Sequence, residues 1–338
     1  MRNAYFLKGL WIFTVWLCWI ASANAQQVIV VDASGRGDFK TVQGAIQSLK
    51  PTAGSPRKIF IRKGVYEEKI YIEKSNIILE GESAQSVIIR ASIARDEWRC
   101  THTDDWGVAT LNVGADDITL INLTIENRFG FDHKQDVQIA CKSDTVRPVK
   151  TLTKTGHQMA LRTLGSTRLK AIGCRFAAFG GDTVSPWDVD AGCWYFKDCI
   201  MEGGVDFYCP RGWAYAENCT FIAHSGTASI WHDGSQHEDS KTVLVNCTFK
   251  GFDGFQLGRY HRDAQFFLIG CTFADNMRDQ AIYRVPTQNT IRWGERIYYF
   301  NCKRKAGSYA WFANNITAEQ VAALTPARIF GDKWKTNF

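Results

Sequence analysis

Short apolar runs bounded by Gly, Asn or Asp recur along the chain, among them Ile59-Phe60-Ile61, Ile70-Tyr71-Ile72, Ile77-Ile78-Leu79 and residues 118–125. Runs this short, with turn-forming residues at their ends, predict strands rather than helices. From residue 173 onward a four-residue phrase repeats: Gly173-Cys174-Arg175-Phe176, Asp198-Cys199-Ile200-Met201, Asn218-Cys219-Thr220-Phe221, Asn246-Cys247-Thr248-Phe249, Gly270-Cys271-Thr272-Phe273 and, more loosely, Asn301-Cys302-Lys303-Arg304. The steps between its cysteines are 25, 20, 28, 24 and 31 residues. Residues i and i+2 of a strand share a face, so each phrase is expected to be one buried strand, with Cys and Phe or Met inward and the residue between them outward. A period of this length that carries strands and no amphipathic helix fits a coil in which every turn stacks on the last, a parallel β-helix. Leucine-rich repeats share the period but need a leucine scaffold that is missing here. Residues 26–338 show no domain boundary and are read as one all-β domain.

Composition narrows the class. The chain has 338 residues, 45% hydrophobic and 22% charged, which suits a globular protein with a sizeable core. The first 25 residues have the form of a cleaved signal peptide: Arg2 and Lys8 precede an apolar stretch over residues 10–20, and Ala23-Asn24-Ala25 is a small-x-small cleavage site. Gln26 is then the expected mature N-terminus, and the protein is expected to be secreted or periplasmic. Cys18 has no small residues before it, which argues against a lipid anchor. The net charge of +6 falls to +4 without Arg2 and Lys8, too mild a surplus to indicate nucleic acid, though compatible with a polyanionic substrate.

Export makes the cysteines candidates for disulfides, yet in-register rungs would hold the six repeated ones about 4.8 Å apart with parallel side chains, which is poor bridging geometry. They are expected to stay free as apolar fillers. Cys100 and Cys141 fall in two polar excursions, residues 91–106 and 128–155, and are the bridge candidates. Cys193 and Cys209 are expected to pack.

One cluster can carry chemistry: Gly180-Gly181-Asp182-Thr183-Val184, Glu202-Gly203-Gly204-Val205-Asp206-Phe207, and Gln256-Leu257-Gly258-Arg259-Tyr260. Asp182 and Asp206 are separated by about one coil, so their carboxylates can lie on neighbouring rungs of one face, with Arg259 in reach from later coils. Two close carboxylates resist joint ionisation: one pKa is pushed up while a guanidinium holds the other down, giving an acid and a nucleophile together. An aspartate in a turn is as readily a turn-former, and spacing alone leaves both readings open.

The neighbouring residues extend this. Residues 31–43 resemble the opening of the pectin methylesterases (pectinesterases), Gly64-Val65-Tyr66-Glu67-Glu68 resembles their Gly-x-Tyr-x-Glu element, and His157-Gln158-Met159-Ala160-Leu161-Arg162 is similar to their Gln-Ala-Val-Ala-Leu-Arg strand. Gly181-Asp182-Thr183-Val184 stands where the family has Gln-Asp-Thr-Leu, Gly204-Val205-Asp206-Phe207 where it has Val-Asp-Phe-Ile-Phe-Gly, and Leu257-Gly258-Arg259-Tyr260-His261 where it has Leu-Gly-Arg-Pro-Trp. The tail, with Ile316-Thr317-Ala318-Glu319 and Gly331-Asp332-Lys333-Trp334, is also similar. The resemblance covers nearly all of the mature chain. It implies a right-handed parallel β-helix that hydrolyses galacturonate methyl esters of pectin: Asp206 attacks the ester carbonyl, Arg259 orients it and keeps it ionised, and Asp182 protonates departing methanol and then activates water. It calls for no metal or cofactor, and for no partner beyond pectic polysaccharide; a monomer is expected, free of nucleic acid and membrane.

Departures mark what is particular to this chain. Gly181 replaces a glutamine whose side chain helps stabilise the oxyanion. An ungapped count puts His157 at the family's earlier glutamine, whereas residue type selects Gln158, and a one-residue slip reverses a side chain's face, so only one can serve. Tyr260-His261 replaces Pro-Trp, and Tyr208-Cys209-Pro210 replaces Ile-Phe-Gly, at positions that line the family's sugar groove. Phe207, Tyr208, Tyr260 and His261, together with Trp187 and Trp231, are therefore the expected substrate contacts. His232 and Asp233 are placed in the groove, and Trp213 in the core. A lyase or polygalacturonase on the same fold, or an inactive polysaccharide-binding coil, are the alternative functions; a lyase would need a calcium-binding acidic cluster, which the sequence does not show.

Overall fold

The computed structural model describes residues 28–50, 56–146, 148–335 and 338; the expected signal peptide and Gln26 lie outside them. Among these residues, ten parallel strands from Ile29–Val31 to Ile297–Phe300 form one face, and nine from Gly64–Glu67 to Lys303–Arg304 form a second. The third face is in two pieces. Ile70–Ile72, Ala109–Val113, Met159–Thr163 and Val184–Ser185 make the first, and Ala228–His232, Gln256–Tyr260 and Tyr283–Arg284 the second. This is the expected parallel β-helix.

Register is held by ladders of inward apolar residues. Ile59, Leu79, Leu120, Ala171, Phe196, Ala216, Leu244, Leu268 and Tyr299 are successive partners on the first face, and all are buried. On the second face, Phe221 and Phe249 stack with ring centroids 4.6 Å apart and planes 7° from parallel. A one-residue slip would turn every such residue outward, so the ladders fix the alignment of the coils.

The repeated phrase turns out to be a corner rather than one strand. Gly173, Asp198, Asn218, Asn246, Gly270 and Asn301 have φ between 51° and 62° and sit between a first-face strand and a second-face strand. That left-handed conformation is open to Gly and tolerated by Asn and Asp, which explains the residue types that precede each cysteine. The thiol just after the bend points inward and donates to a carbonyl one rung back, as in Cys247 to Ala216 O at 3.5 Å and Cys271 to Leu244 O at 3.5 Å. All six ladder cysteines are free, as are Cys193 and Cys209, and among the described residues the single disulfide joins Cys100 to Cys141.

The ends and one outer face are covered. The helix Val42–Ser48, capped by the Thr41 side chain, buries Val42, Ala45 and Ile46 over the first coil. Near the C-terminus, Ile316, Ile329, Phe330 and Trp334 pack on Cys193, Tyr195, Trp213 and Tyr215, on the outside of the first face. Trp213 and Cys193 are thus packing residues, as expected. The disulfide ties the excursion holding the helix Arg95–Trp98 to the one holding the antiparallel pair Val137–Ala140 and Val149–Leu152. The Arg95 N–H donates to His157 O at 3.0 Å, which brings the first excursion beside the break in the third face.

Candidate active site

Across the break the third face is continued only by isolated bridges, His157 to Gly181 to Val205 and then Val184 to Tyr208 to Ile230. The residues after the first set, Gln158, Asp182 and Asp206, therefore occupy matching places on adjacent coils. Asp182 and Asp206 have φ of 57° and 49°, so both use the left-handed conformation found at the corners. The coils are pressed together here: a Cβ at Gly180 would lie 1.9 Å from Gly156 O, which only glycine permits.

Arg259, on the strand Gln256–Tyr260, reaches back two coils to grip Asp206 with two hydrogen bonds, Nε to Oδ1 at 3.0 Å and a terminal nitrogen to Oδ2 at 2.7 Å. Its guanidinium also lies 5.3 Å from the centre of the Trp231 ring, on the coil between. Burial, aided by the Asp182 charge, raises the Asp206 pKa above its ordinary value even against Arg259. This corrects the expectation that the arginine-paired carboxyl would be held down: the Asp206 side chain is only 13% exposed, and loss of water outweighs one partly exposed guanidinium. Asp182 is more enclosed still. Its Oδ1 accepts from the Cys209 thiol at 3.6 Å and lies 3.9 Å from His157 Nε2.

His157 and Gln158 face opposite ways. The His157 side chain is 50% exposed beside Asp182. Gln158 is fully buried, its Oε1 accepting from the Gly130 N–H at 2.9 Å and its Nε2 donating to Lys154 O at 2.6 Å. The amide is spent on the second excursion, so Gln158 does not meet the two aspartates. The space left by Gly181 is filled by a neighbour, since a Cβ there would lie 2.9 Å from Val205 Cγ1.

Three of the expected substrate contacts are core residues. Phe207 and Tyr208 are fully buried, and Tyr260 is 2% exposed with its hydroxyl on Glu295 at 3.2 Å. The left-handed turn at Asp206 resets the alternation of the strand, so two successive rings point inward. His232 is also buried, and loss of water lowers its pKa to about 4. Trp187, Trp231 and His261 do reach the surface; Trp231 and His261 have ring centres 4.8 Å apart. Trp187, Asp233, His261 and Arg262 border a groove of about 630 Å³ whose lining includes neither Asp182 nor Asp206.

Sequence reasoning gave no role to a buried basic group beneath the groove. Arg211 is 3% exposed, bonds bidentately to Asp233 at 2.7 and 2.8 Å, and also donates to Ser185 Oγ and Cys209 O. Arg162 is 5% exposed and donates to the same Ser185 hydroxyl at 2.8 Å. Both guanidiniums lie over the Trp187 ring, Arg211 at 4.2 Å and Arg162 at 4.7 Å from its centre. Arg211 follows a proline and precedes a glycine, a context in which nothing signals a buried cation. Among the described residues, no group of three or more His, Cys, Asp or Glu could hold a metal ion.

The pectinesterase family model matches residues 28–170, the coils that precede both aspartates. Pectinesterase QRT1 of Arabidopsis thaliana is 27% identical over 96% of this chain and 83% of its own. The chain is similar to pectinesterases along nearly its whole length. Pectinesterase A of Dickeya chrysanthemi is 32% identical over a shorter stretch, 40% of this chain and 39% of that one. Among solved structures, the pectin methylesterase PemA from Erwinia chrysanthemi superposes with a TM-score of 0.70 at 23% identity, covering 94% of this chain and 100% of its own. A pectin methylesterase in complex with a hexasaccharide gives 0.69 at 22%, covering 92% and 98%. These two establish the fold, and the relatives and the family model show a likeness to pectinesterases.

Proposed function

We propose that this protein hydrolyses methyl esters of galacturonate units in pectin, releasing methanol, with Asp206 as nucleophile and Asp182 as acid and base. The observation that carries the reading is the pair of left-handed aspartates on adjacent coils, one gripped by Arg259 and the other not. The ionised Asp206 attacks the ester carbonyl, and Arg259 fixes the plane of its carboxylate. As the tetrahedral intermediate collapses, the C–OCH₃ bond breaks and the methoxy oxygen takes the proton of Asp182. Water then adds to the acyl carbonyl, gives its proton back to Asp182, and releases Asp206 as the carboxylate. His157, half exposed beside Asp182, is the side chain placed to donate to the oxyanion in place of the glutamine missing at Gly181. Trp187, Trp231 and His261 offer surfaces for sugar rings.

The names of the relatives support pectin as substrate, and a structural neighbour was solved with a bound hexasaccharide. The pattern of residues 1–25 supports export to a periplasmic or extracellular site; among the described residues no helix is long and apolar enough to cross a membrane. Product analysis on methylated pectins tests the reading. An esterase yields methanol with chain length unchanged; a lyase yields ultraviolet-absorbing unsaturated ends, a polygalacturonase yields shortened chains without methanol, and a binder yields no product.

A further inference from the structure

The two carboxylate oxygens of Asp182 have different surroundings. Oδ1 is the acceptor for the Cys209 thiol, while Oδ2 has no hydrogen-bond partner among the described residues and is not sealed from solvent. A protonated carboxyl that receives a hydrogen bond on one oxygen carries its own proton on the other. Cys209 is itself fixed. Its N–H donates to Val184 O at 3.0 Å, its carbonyl accepts from Arg211, and Arg211 is anchored on Asp233 and Ser185. Its single proton has two alternative acceptors at the same distance, Asp182 Oδ1 and Val184 O, each at 3.6 Å.

We propose that Cys209 is a positioning residue of the reaction, holding Oδ1 of Asp182 so that Oδ2 is the oxygen that passes the proton to methanol and takes it back from water. The inference rests on the esterase reading and adds to it the orientation of the acid. Cys209 is fully buried, and loss of water pushes its thiol well above the ordinary range, so it remains a donor through the working pH range. The other charged groups around Asp182 are Asp206, His157, Arg162 and Arg211. None of the four hydrogen-bonds to the Asp182 carboxylate, so the thiol is the side chain that sets its rotation.

A hydrogen bond to the ionised form lowers a carboxyl pKa, and a thiol donor is worth a fraction of a pH unit. The test compares Cys209→Ala, Cys209→Val and Cys209→Ser with the parent enzyme, each checked for an unchanged melting transition. Ala and Val should lower kcat roughly two- to fivefold at constant KM and move the alkaline limb of kcat up by about half a unit, while Ser should restore the parent profile. The Asp182 carboxyl carbon, followed by NMR without substrate, should show the same ordering. Unchanged limbs and an unchanged Asp182 titration in Ala and Val would overturn the proposal, and so would a Ser variant that behaves like Ala. If the parent releases no methanol, the esterase reading fails on its own, and the NMR titration still decides whether Cys209 governs Asp182.

Discussion

At the corner between the first and second faces, the left-handed position is filled on successive coils by Gly173, Asp198, Asn218, Asn246, Gly270 and Asn301. In the break of the third face it is filled by Asp182 and Asp206. The backbone device is the same, and its surroundings differ. At the corner each turn repeats the one before, the following thiol finds a carbonyl, and the aromatic residue after it stacks on its neighbour. In the break the ladder lapses to isolated bridges, and two short acidic side chains face each other where strand pairing would otherwise be. A residue that tolerates the left-handed region for structural reasons becomes chemically useful when regular pairing stops beside it. Asparagine there, or a lone acid such as Asp198, leaves the ladder intact; aspartate on two adjacent coils makes a charged pair that must be relieved by a proton or a guanidinium.

Substitutions that remove charge in the break should leave the coil intact. Asp182→Asn and Arg259→Ala are expected to lower methanol release by on the order of a thousandfold or more, with unchanged circular dichroism. A comparable loss of melting temperature would mean that the break is structural like the corner.

The two neighbours His157 and Gln158 divide function from structure within one dipeptide. His157→Ala should lose roughly a hundredfold in kcat with little change in KM, as for removal of one oxyanion donor. Gln158→Ala should act on stability instead, by about 1–3 kcal/mol, because it leaves the buried Gly130 N–H and Lys154 carbonyl unpaired. Kinetics and thermal melts of both variants check this, and the reverse assignment would show that the register has been misread.

The corner should respond the opposite way from the aspartates. Asn246→Ala forces a left-handed alanine and is expected to cost about 1–2 kcal/mol of stability while folded enzyme keeps its turnover. Calorimetry and a rate measurement on the same sample decide it. The smallest effect is on pH dependence. Asp206 must be ionised to attack, and its folded pKa lies above the ordinary 3.8. Activity should therefore fall as pH drops through that raised value, placing the acidic limb of kcat/KM higher than a free aspartate would, as a pH–rate profile can show.

The coil and its register were legible in the sequence because each depends on residue type at a repeated spacing, and the Cys100–Cys141 bridge because these two cysteines fall outside the repeat, in two polar excursions. The relation of Asp182, Asp206 and Arg259 was legible from spacing, like the coil. The facing of side chains around the aspartates was not. Strand alternation carries through regular pairing but is reset at a left-handed residue, so Phe207 and Tyr208 both enter the core, where a two-residue period would split them. The repeated phrase was misassigned to one strand for a related cause: at Asn218 or Asn246 the bend directs the cysteine inward, and the pleat takes over only afterward. Arg211 was missed because its partners, Asp233, Ser185 and the Cys209 carbonyl, come from three coils and share no spacing.

The central claim is that the carboxylate gripped by Arg259 is the nucleophile, and Asp206→Asn tests it most directly because the amide keeps the shape of the side chain and removes its charge. Steady-state methanol release from methylated pectin should fall by on the order of a thousandfold or more while the melting transition stays within a few degrees of the parent. Release near the parent rate from folded Asp206→Asn protein would contradict the account.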